Sequence, residues 1–310
     1  MEYRKLGKTG LSISKISLGA SSLGAVFHDI DEAEAIRTVH TAIEYGVNFI
    51  DVSPYYGFTT AEILLGKALK TIPRDKYFLS TKIGRYGING VKSWDYSAKR
   101  AELSLEESMR RLNVDYVDIL HVHDIEFSDI NQVVTETIPA LLKMKEKGMI
   151  GYVGITGLPI DKHKYLLDQL PDCTVDAILS FCHYCINDDS LADHIPFFKL
   201  KQTGIINASP LSMGLLTSRG APDWHPASQR LRSLCSKAAR HCTDSGYPIE
   251  QLAVCFSVSN PEITTTLVST ASSSNIIKNI EWAGMPMNNE LLAEVKEILK
   301  PVLRETWENS

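Results

Sequence analysis

Short apolar runs rich in β-branched and aromatic residues alternate along the chain with longer segments whose apolar positions recur every three or four residues. This is the pattern of a parallel sheet with crossover helices. The runs predict strands at 16–19, 48–51, 77–82, 116–123, 152–156, 177–181, 204–208 and 265–268. Ile36, Val39 and Ile43 mark one face of a helix that starts after Asp31, and Leu105, Met109 and Leu112 mark another, with Glu106, Glu107, Arg110 and Arg111 outside. Further helices fit 62–70, 130–147, 162–168, 190–201, 249–257 and 276–283, and an extra helix within 228–241 fills the long gap before the eighth strand. Eight such units predict a (β/α)8 TIM barrel, one domain over residues 1–310. An open doubly wound sheet that binds a dinucleotide would carry G-x-G-x-x-G after its first strand, and no such motif occurs. Residues 3–5 and 12–14 flank Gly7-Lys8-Thr9-Gly10 and predict an N-terminal hairpin that closes the bottom of the barrel, with extra helices near the C-terminus.

Hydrophobic residues make up 44% of the 310, enough for a large core. Lys and Arg number 32 against 37 Asp and Glu, a formal charge of −5 with no long basic run, so a nucleic-acid partner is not expected. The chain has no apolar stretch of about 18 to 20 residues and no basic-then-apolar leader, so a cytoplasmic protein without a membrane partner is expected, a monomer or weak homo-oligomer. Six cysteines lie in the C-terminal half, and reduced thiols are the simplest reading. Cys182 and Cys185 have the C-x-x-C spacing of redox and zinc sites, but no second pair stands at knuckle spacing and no metal is expected.

Barrel enzymes carry their chemistry at the C-terminal ends of the strands. There the sequence sets Asp51 and, just beyond it, Tyr56 after the second strand, Lys82 at the end of the third, and His123 at the end of the fourth. Each alone is ordinary: a turn residue before Pro54, one of a surface aromatic pair, a solvated strand end, a core histidine. Together, at one end of adjacent strands, they form a specific constellation. His121 and His123 share a strand face and raise a metal-binding rival, although metal-dependent barrel hydrolases usually carry that pair on the first strand.

The stretches Asn48-Phe-Ile-Asp-Val-Ser-Pro-Tyr-Tyr-Gly57, Leu65-Gly-Lys-Ala-Leu69 with Glu62, Ser80-Thr-Lys82, Asp115-Tyr-Val-Asp-Ile-Leu-His-Val-His123 and Ala208-Ser-Pro-Leu211 resemble the aldo-keto reductases over nearly the whole chain. Leu120-His-Val-His-Asp-Ile-Glu-Phe127, Gly154-Ile-Thr-Gly-Leu-Pro159, His183-Tyr184 and Trp224-His-Pro-Ala-Ser228 are similar to the plant-type branch that dehydrogenates L-galactose. The resemblance implies hydride transfer with a nicotinamide cofactor and Tyr56 as general acid/base. A free tyrosine has a pKa of about 10, so action as a base near neutrality calls for lowering it by two to three units, roughly 3 to 4 kcal/mol. Lys82 is expected to supply most of that, with Asp51 holding Lys82 charged and His123 hydrogen-bonding the substrate oxygen.

The same resemblance implies that Thr156 and Ser180 stand where the nicotinamide carboxamide binds. The loop Ser209-Pro-Leu211-Ser-Met-Gly214 is expected to turn backbone N–H groups to the pyrophosphate, and Ser269, Thr270, Asn275 and Asn279 to meet the adenosine end. Members preferring NADP carry a Lys and an Arg where Ser269 and Asn275 stand, so NAD is expected over NADP. The tyrosine that commonly stacks on the nicotinamide is Ala208 here. Order along the chain brings Asp124, Arg85, His183 and Trp224 toward a sugar's hydroxyls and Phe58 and Tyr86 toward its apolar face. The reaction implied is oxidation of the anomeric carbon of a free sugar, L-galactose to its lactone, a step of ascorbate synthesis in plants. Dehydrogenation of L-fucose or D-arabinose, general aldehyde reduction, and a non-catalytic cofactor-sensing subunit like those of potassium channels remain as alternatives.

Overall fold

In the computed structural model, which describes residues 1–26, 29–87 and 90–307, eight parallel strands close into a barrel behind an antiparallel hairpin. The hairpin is β1 (Tyr3–Lys5) with β2 (Ser12–Ser14), Tyr3 pairing Ser14. The barrel follows as β3 (Ile16–Gly19), β4 (Phe49–Asp51), β5 (Phe78–Ile83), β6 (Val117–Val122), β7 (Ile150–Gly157), β8 (Ala177–Phe181), β9 (Gly204–Ala208) and β10 (Thr265–Ser269), with β10 returning to pair β3. Helices on the outside connect successive strands, as the 3.6-residue periodicities predict.

Alternation along the strands sorts two populations. Phe49, Ile119, Ala177, Leu179, Ile206 and Leu267 point inward and pack on Leu6 and Ile13, so the hairpin plugs the lower end. Their strand neighbours Leu120, Val122, Val153, Ile155, Ile178 and Ile205 point outward into the helix layer. Continuing the inward set by twos places Asp51, Ser80, Lys82, His121, Thr156, Phe181, Ala208 and Ser269 on the inner wall at its C-terminal end, with His123 one residue past β6.

The helix expected within 228–241 is Gln229–Asp244, capped by the Ser228 hydroxyl, which accepts from Leu231 N–H at 3.1 Å. A further helix, Asn289–Leu299, whose bounds the periodicity does not mark, is among the extra helices expected near the C-terminus. Among the described residues all six cysteines are free thiols, and no helix is long and apolar enough to cross a membrane. Cys182 and Cys185 are buried, with burial pushing the Cys182 thiol up to about 12 and Cys185 well above its ordinary value. Neither is poised as a thiolate.

Candidate active site

The turn 53–59 after β4 carries Tyr56, and three left-handed residues in a row set its course: Gly57 (φ 57°), Phe58 (φ 50°) and Thr59 (φ 78°). A Cβ on Gly57 would stand 2.0 Å from the carbonyl oxygen of Gly24, so only glycine lets the loop after β3 brace this turn. Ser53 accepts the Tyr55 N–H at 3.1 Å and meets Nδ1 of His123 at 3.1 Å, joining the turn to the end of β6.

Lys82 is the hub. Its ammonium donates to Asp51 Oδ1 at 2.5 Å and to the Val52 carbonyl at 2.9 Å, and lies 4.8 Å from the centre of the Tyr56 ring. The other Asp51 oxygen accepts from Ser80 at 2.5 Å. Burial works against the charge on Lys82, but Asp51 and Tyr56 outweigh it and hold its pKa above the usual lysine value. Tyr56 differs from the sequence expectation. Withdrawal of its hydroxyl from water outweighs the pull of Lys82, and Asp51 and Asp124 oppose that pull, so its pKa is raised rather than lowered. The folded site therefore holds the phenol as a proton donor.

The His123 ring stands edge-on to Tyr56, centroids 5.8 Å apart. Burial first, then Lys82 and Arg85, keep its pKa well below the ordinary histidine value, and the same logic holds His121 neutral. His121 packs across Gly154, where a Cβ would sit 2.1 Å from its ring nitrogen. Among the described residues no three His, Cys, Asp or Glu side chains gather into a metal site.

Asp124 and Arg85 come together beside this set. Arg85 pairs with Asp124 Oδ2, which is 3.6 Å from His123 Nε2, and Thr156 binds Asp124 twice, donating from its hydroxyl to Oδ1 at 3.1 Å and accepting the backbone N–H at 2.9 Å. The guanidinium is caged by Tyr55, Trp94 and Phe127 at 4.0, 4.3 and 4.8 Å. Tyr55, Trp94, Phe127 and Ser53 are site residues that sequence reasoning missed; Tyr55 adjoins Tyr56, but the 94 and 127 loops converge only in three dimensions.

Other expectations land elsewhere. Ser180 shares the outward parity of Ile178, so it does not face the barrel interior; Leu179 and Phe181 do, Phe181 at the upper rim. Tyr86 is not a mouth residue either. It is buried against Ala101 and Leu105, accepts the Gly84 N–H at 2.8 Å and is covered by the Arg100 guanidinium at 4.1 Å. His183 is tied through Nδ1 to Asp188 at 2.9 Å and Ser190 at 3.1 Å, in a separate recess of about 260 Å³ with Leu158, His194 and Trp307. Phe58 is half exposed at the rim, edge-on to Tyr55 at 6.5 Å. Trp224, also half exposed, stacks by His225, whose Nε2 lies 3.1 Å from the Ser212 carbonyl.

The residues after β9 and β10 fit a dinucleotide's polar groups in part. Ser209, Ser212 and Met213 adopt left-handed backbone (φ 60°, 48° and 53°) before Gly214 (φ 105°), a run of strain of the kind found at ligand clamps. The N–H groups of Ser212 and Gly214, however, are spent on the carbonyls of Ser209 and Leu211 at 2.8 and 3.0 Å. Ser269 Oγ is held by Ser21 Oγ and the Ser22 N–H at 2.8 and 2.9 Å, Thr270 accepts the Ser272 N–H at 3.2 Å, Asn275 is exposed and Asn279 buried. Phe181 and Ala208 pair in register at the inner rim, so an aromatic face from β8 stands beside the small residue of β9.

Residues 15–300 match the Aldo/keto reductase family, and the chain belongs to it. It is 48% identical to L-galactose dehydrogenase of Arabidopsis thaliana over 313 residues, covering 99% of this chain and 97% of that one. It is 33% identical to D-arabinose 1-dehydrogenase of Saccharomyces cerevisiae over 262 residues, covering 80% and 76%. The barrel is shared with the holo form of an aldo-keto reductase from Bacillus halodurans at a TM-score of 0.78 and 24% identity, covering 100% and 99%.

Proposed function

We propose that the protein oxidises the anomeric carbon of a free sugar, L-galactose foremost, to the lactone, with NAD preferred over NADP. The observation that carries this reading is the contiguous set Asp51, Lys82, Tyr56 and His123 with the Asp124–Arg85 pair at its edge. The likeness to two sugar dehydrogenases supports the substrate class.

Bound nicotinamide supplies the acceptor for the hydride that leaves C1, and the proton on the C1 hydroxyl must leave as well. Tyr56 takes it once it has released its own proton to solvent, and Lys82 stabilises that phenolate while Asp51 holds Lys82 in place. Neutral His123 orients the hydroxyl from the other side. Asp124 accepts from a neighbouring sugar hydroxyl, its other bonds to Arg85 and Thr156 fixing where its lone pairs point. Phe181 beside Ala208 offers the packing face for the nicotinamide, and Ser269 and Asn275 leave no cation for a 2′-phosphate.

The test is the appearance of reduced nicotinamide with NAD or NADP against L-galactose, L-fucose, D-arabinose and D-galactose. Strong L-galactose activity with NAD and weak activity with NADP supports the reading. Silence on every sugar with robust aldehyde reduction overturns the substrate; comparable rates with NADP overturn the cofactor assignment.

A further inference from the structure

A barrel's phosphate site commonly forms from the loops after its seventh and eighth strands and a helix N-terminus there, because unpaired N–H groups and the helix dipole both favour an anion. In this chain those strands are β9 and β10, and the helix that follows is Ser273–Ala283. Its N-terminus already holds an anion. The carboxylate of Glu34, from the helix Glu32–Glu44 after β3, takes both the backbone N–H and the hydroxyl of Ser273 on Oε1, each at 2.7 Å. Its Oε2 receives Nε and Nη2 of Arg37 at 2.9 and 2.7 Å. The Ser273 hydroxyl, the Ser273 N–H and then Arg37 pull the Glu34 pKa down to about 2, so the charge is permanent at working pH. Asp31 accepts the Glu34 N–H at 2.7 Å and fixes the start of that helix.

We infer that Glu34 is a specificity-determining residue that refuses a phosphate at the adenosine end of the cofactor site. This rests on the reading that a nicotinamide dinucleotide lies across β9 and β10. Serine and asparagine at 269 and 275 withhold attraction from a 2′-phosphate; Glu34 adds repulsion, and discrimination needs the repulsive element as much as the missing attractive one. The carboxylate also consumes the donors a phosphate would use. Removing it releases the Ser273 N–H and hydroxyl together with the Arg37 guanidinium, a set suited to a phosphate dianion.

The experiment titrates wild type, Glu34→Gln, Glu34→Ala and the double variant Glu34→Ala/Arg37→Ala with NAD and NADP, following quenching of tryptophan fluorescence, with thermal melts to check folding. Wild type is expected to bind NAD at least about tenfold more tightly than NADP. Both single variants should narrow that ratio by about tenfold through tighter NADP, with NAD within about threefold, and the double variant should give the gain back. Glu34→Gln removes the charge while keeping an acceptor for Ser273, so it reports even if Glu34→Ala loosens the contact between the two helices. An unchanged ratio in folded single variants overturns the role of Glu34 and leaves the preference for NAD standing. Equal binding of NAD and NADP by wild type overturns both.

Discussion

The carboxylate of Asp124 stands 3.6 Å from Nε2 of His123, locked there by Arg85 and Thr156. In the proposed reaction this carboxylate lies beside the reacting oxygen, and because it only accepts hydrogen bonds it demands a donor on the next carbon, which a sugar offers and a simple aldehyde does not. Asp124→Asn keeps the shape and removes the charge. It is expected to lower kcat/KM for L-galactose by about 10- to 100-fold, the worth of one charge-assisted bond, while NAD affinity stays within about twofold. Steady-state kinetics beside a binding titration check this; equal loss on sugar and simple aldehyde substrates would assign Asp124 to the fold rather than to recognition.

Tyr56→Phe removes only the hydroxyl and keeps the ring that lies 4.8 Å from the Lys82 ammonium. Turnover should fall by about a thousandfold or more, with NAD binding retained, because neither neutral His123 nor the Arg85-paired Asp124 has the ammonium-supported basicity that the phenolate of Tyr56 brings to the proton. Retained turnover would sink the role assigned to Tyr56. It would revive the view of the chain as a cofactor-sensing subunit.

Much of the site is legible in the sequence because periodicity reports which way a side chain points. The inward set at the strand ends, Asp51, Lys82 and His123, follows from alternation by twos once the strands are placed. The same rule, applied to Ser180 by parity with Leu179, turns that serine outward from the sequence alone. What sequence withholds is convergence between loops: the aromatic cage around Arg85 gathers residues 55, 94 and 127, and no spacing announces it. Glu34 is invisible for the same reason, since on its own helix it reads as a solvated first-turn acid. The balance that sets the Tyr56 pKa also needs three-dimensional distances, because burial and a neighbouring ammonium act in opposite directions and only their geometry decides.

That balance predicts the pH dependence. Tyr56 is protonated through neutrality in the free enzyme, and oxidation requires the phenolate, so kcat/KM for the sugar at saturating NAD should climb with pH across the range of about 7 to 9 without a plateau. Carbonyl reduction, which uses the protonated form, should stay flat over that range. His123 is already neutral and contributes no acid limb near 6.5. A bell-shaped oxidation profile with a limb near 6.5 that vanishes in His123→Asn would show that the histidine titrates in the working range and is reached by water.

Stability should respond to acid through the buried histidines rather than through Tyr56. His163 is fully buried, its Nδ1 lies 3.3 Å from the Pro159 carbonyl, and burial depresses its pKa to about 4 against the pull of the Pro159 and Leu179 backbone. The unfolded chain binds that proton near 6.5 and the native state does not until about 4, so the contribution is full above about pH 6.5 and is lost progressively as pH falls toward 4. The interval of about 2.5 units corresponds to a loss on the order of 3 kcal/mol from this residue, and His121 and His123 act in the same direction. Urea unfolding at pH 7.5, 5.5 and 4.5 measures it directly. His163→Asn should start less stable, because it leaves a smaller side chain in a packed site, yet lose less between pH 6.5 and 4.5 than wild type does. A wild-type stability that stays level over that interval would mean these rings are reached by water and protonate in place.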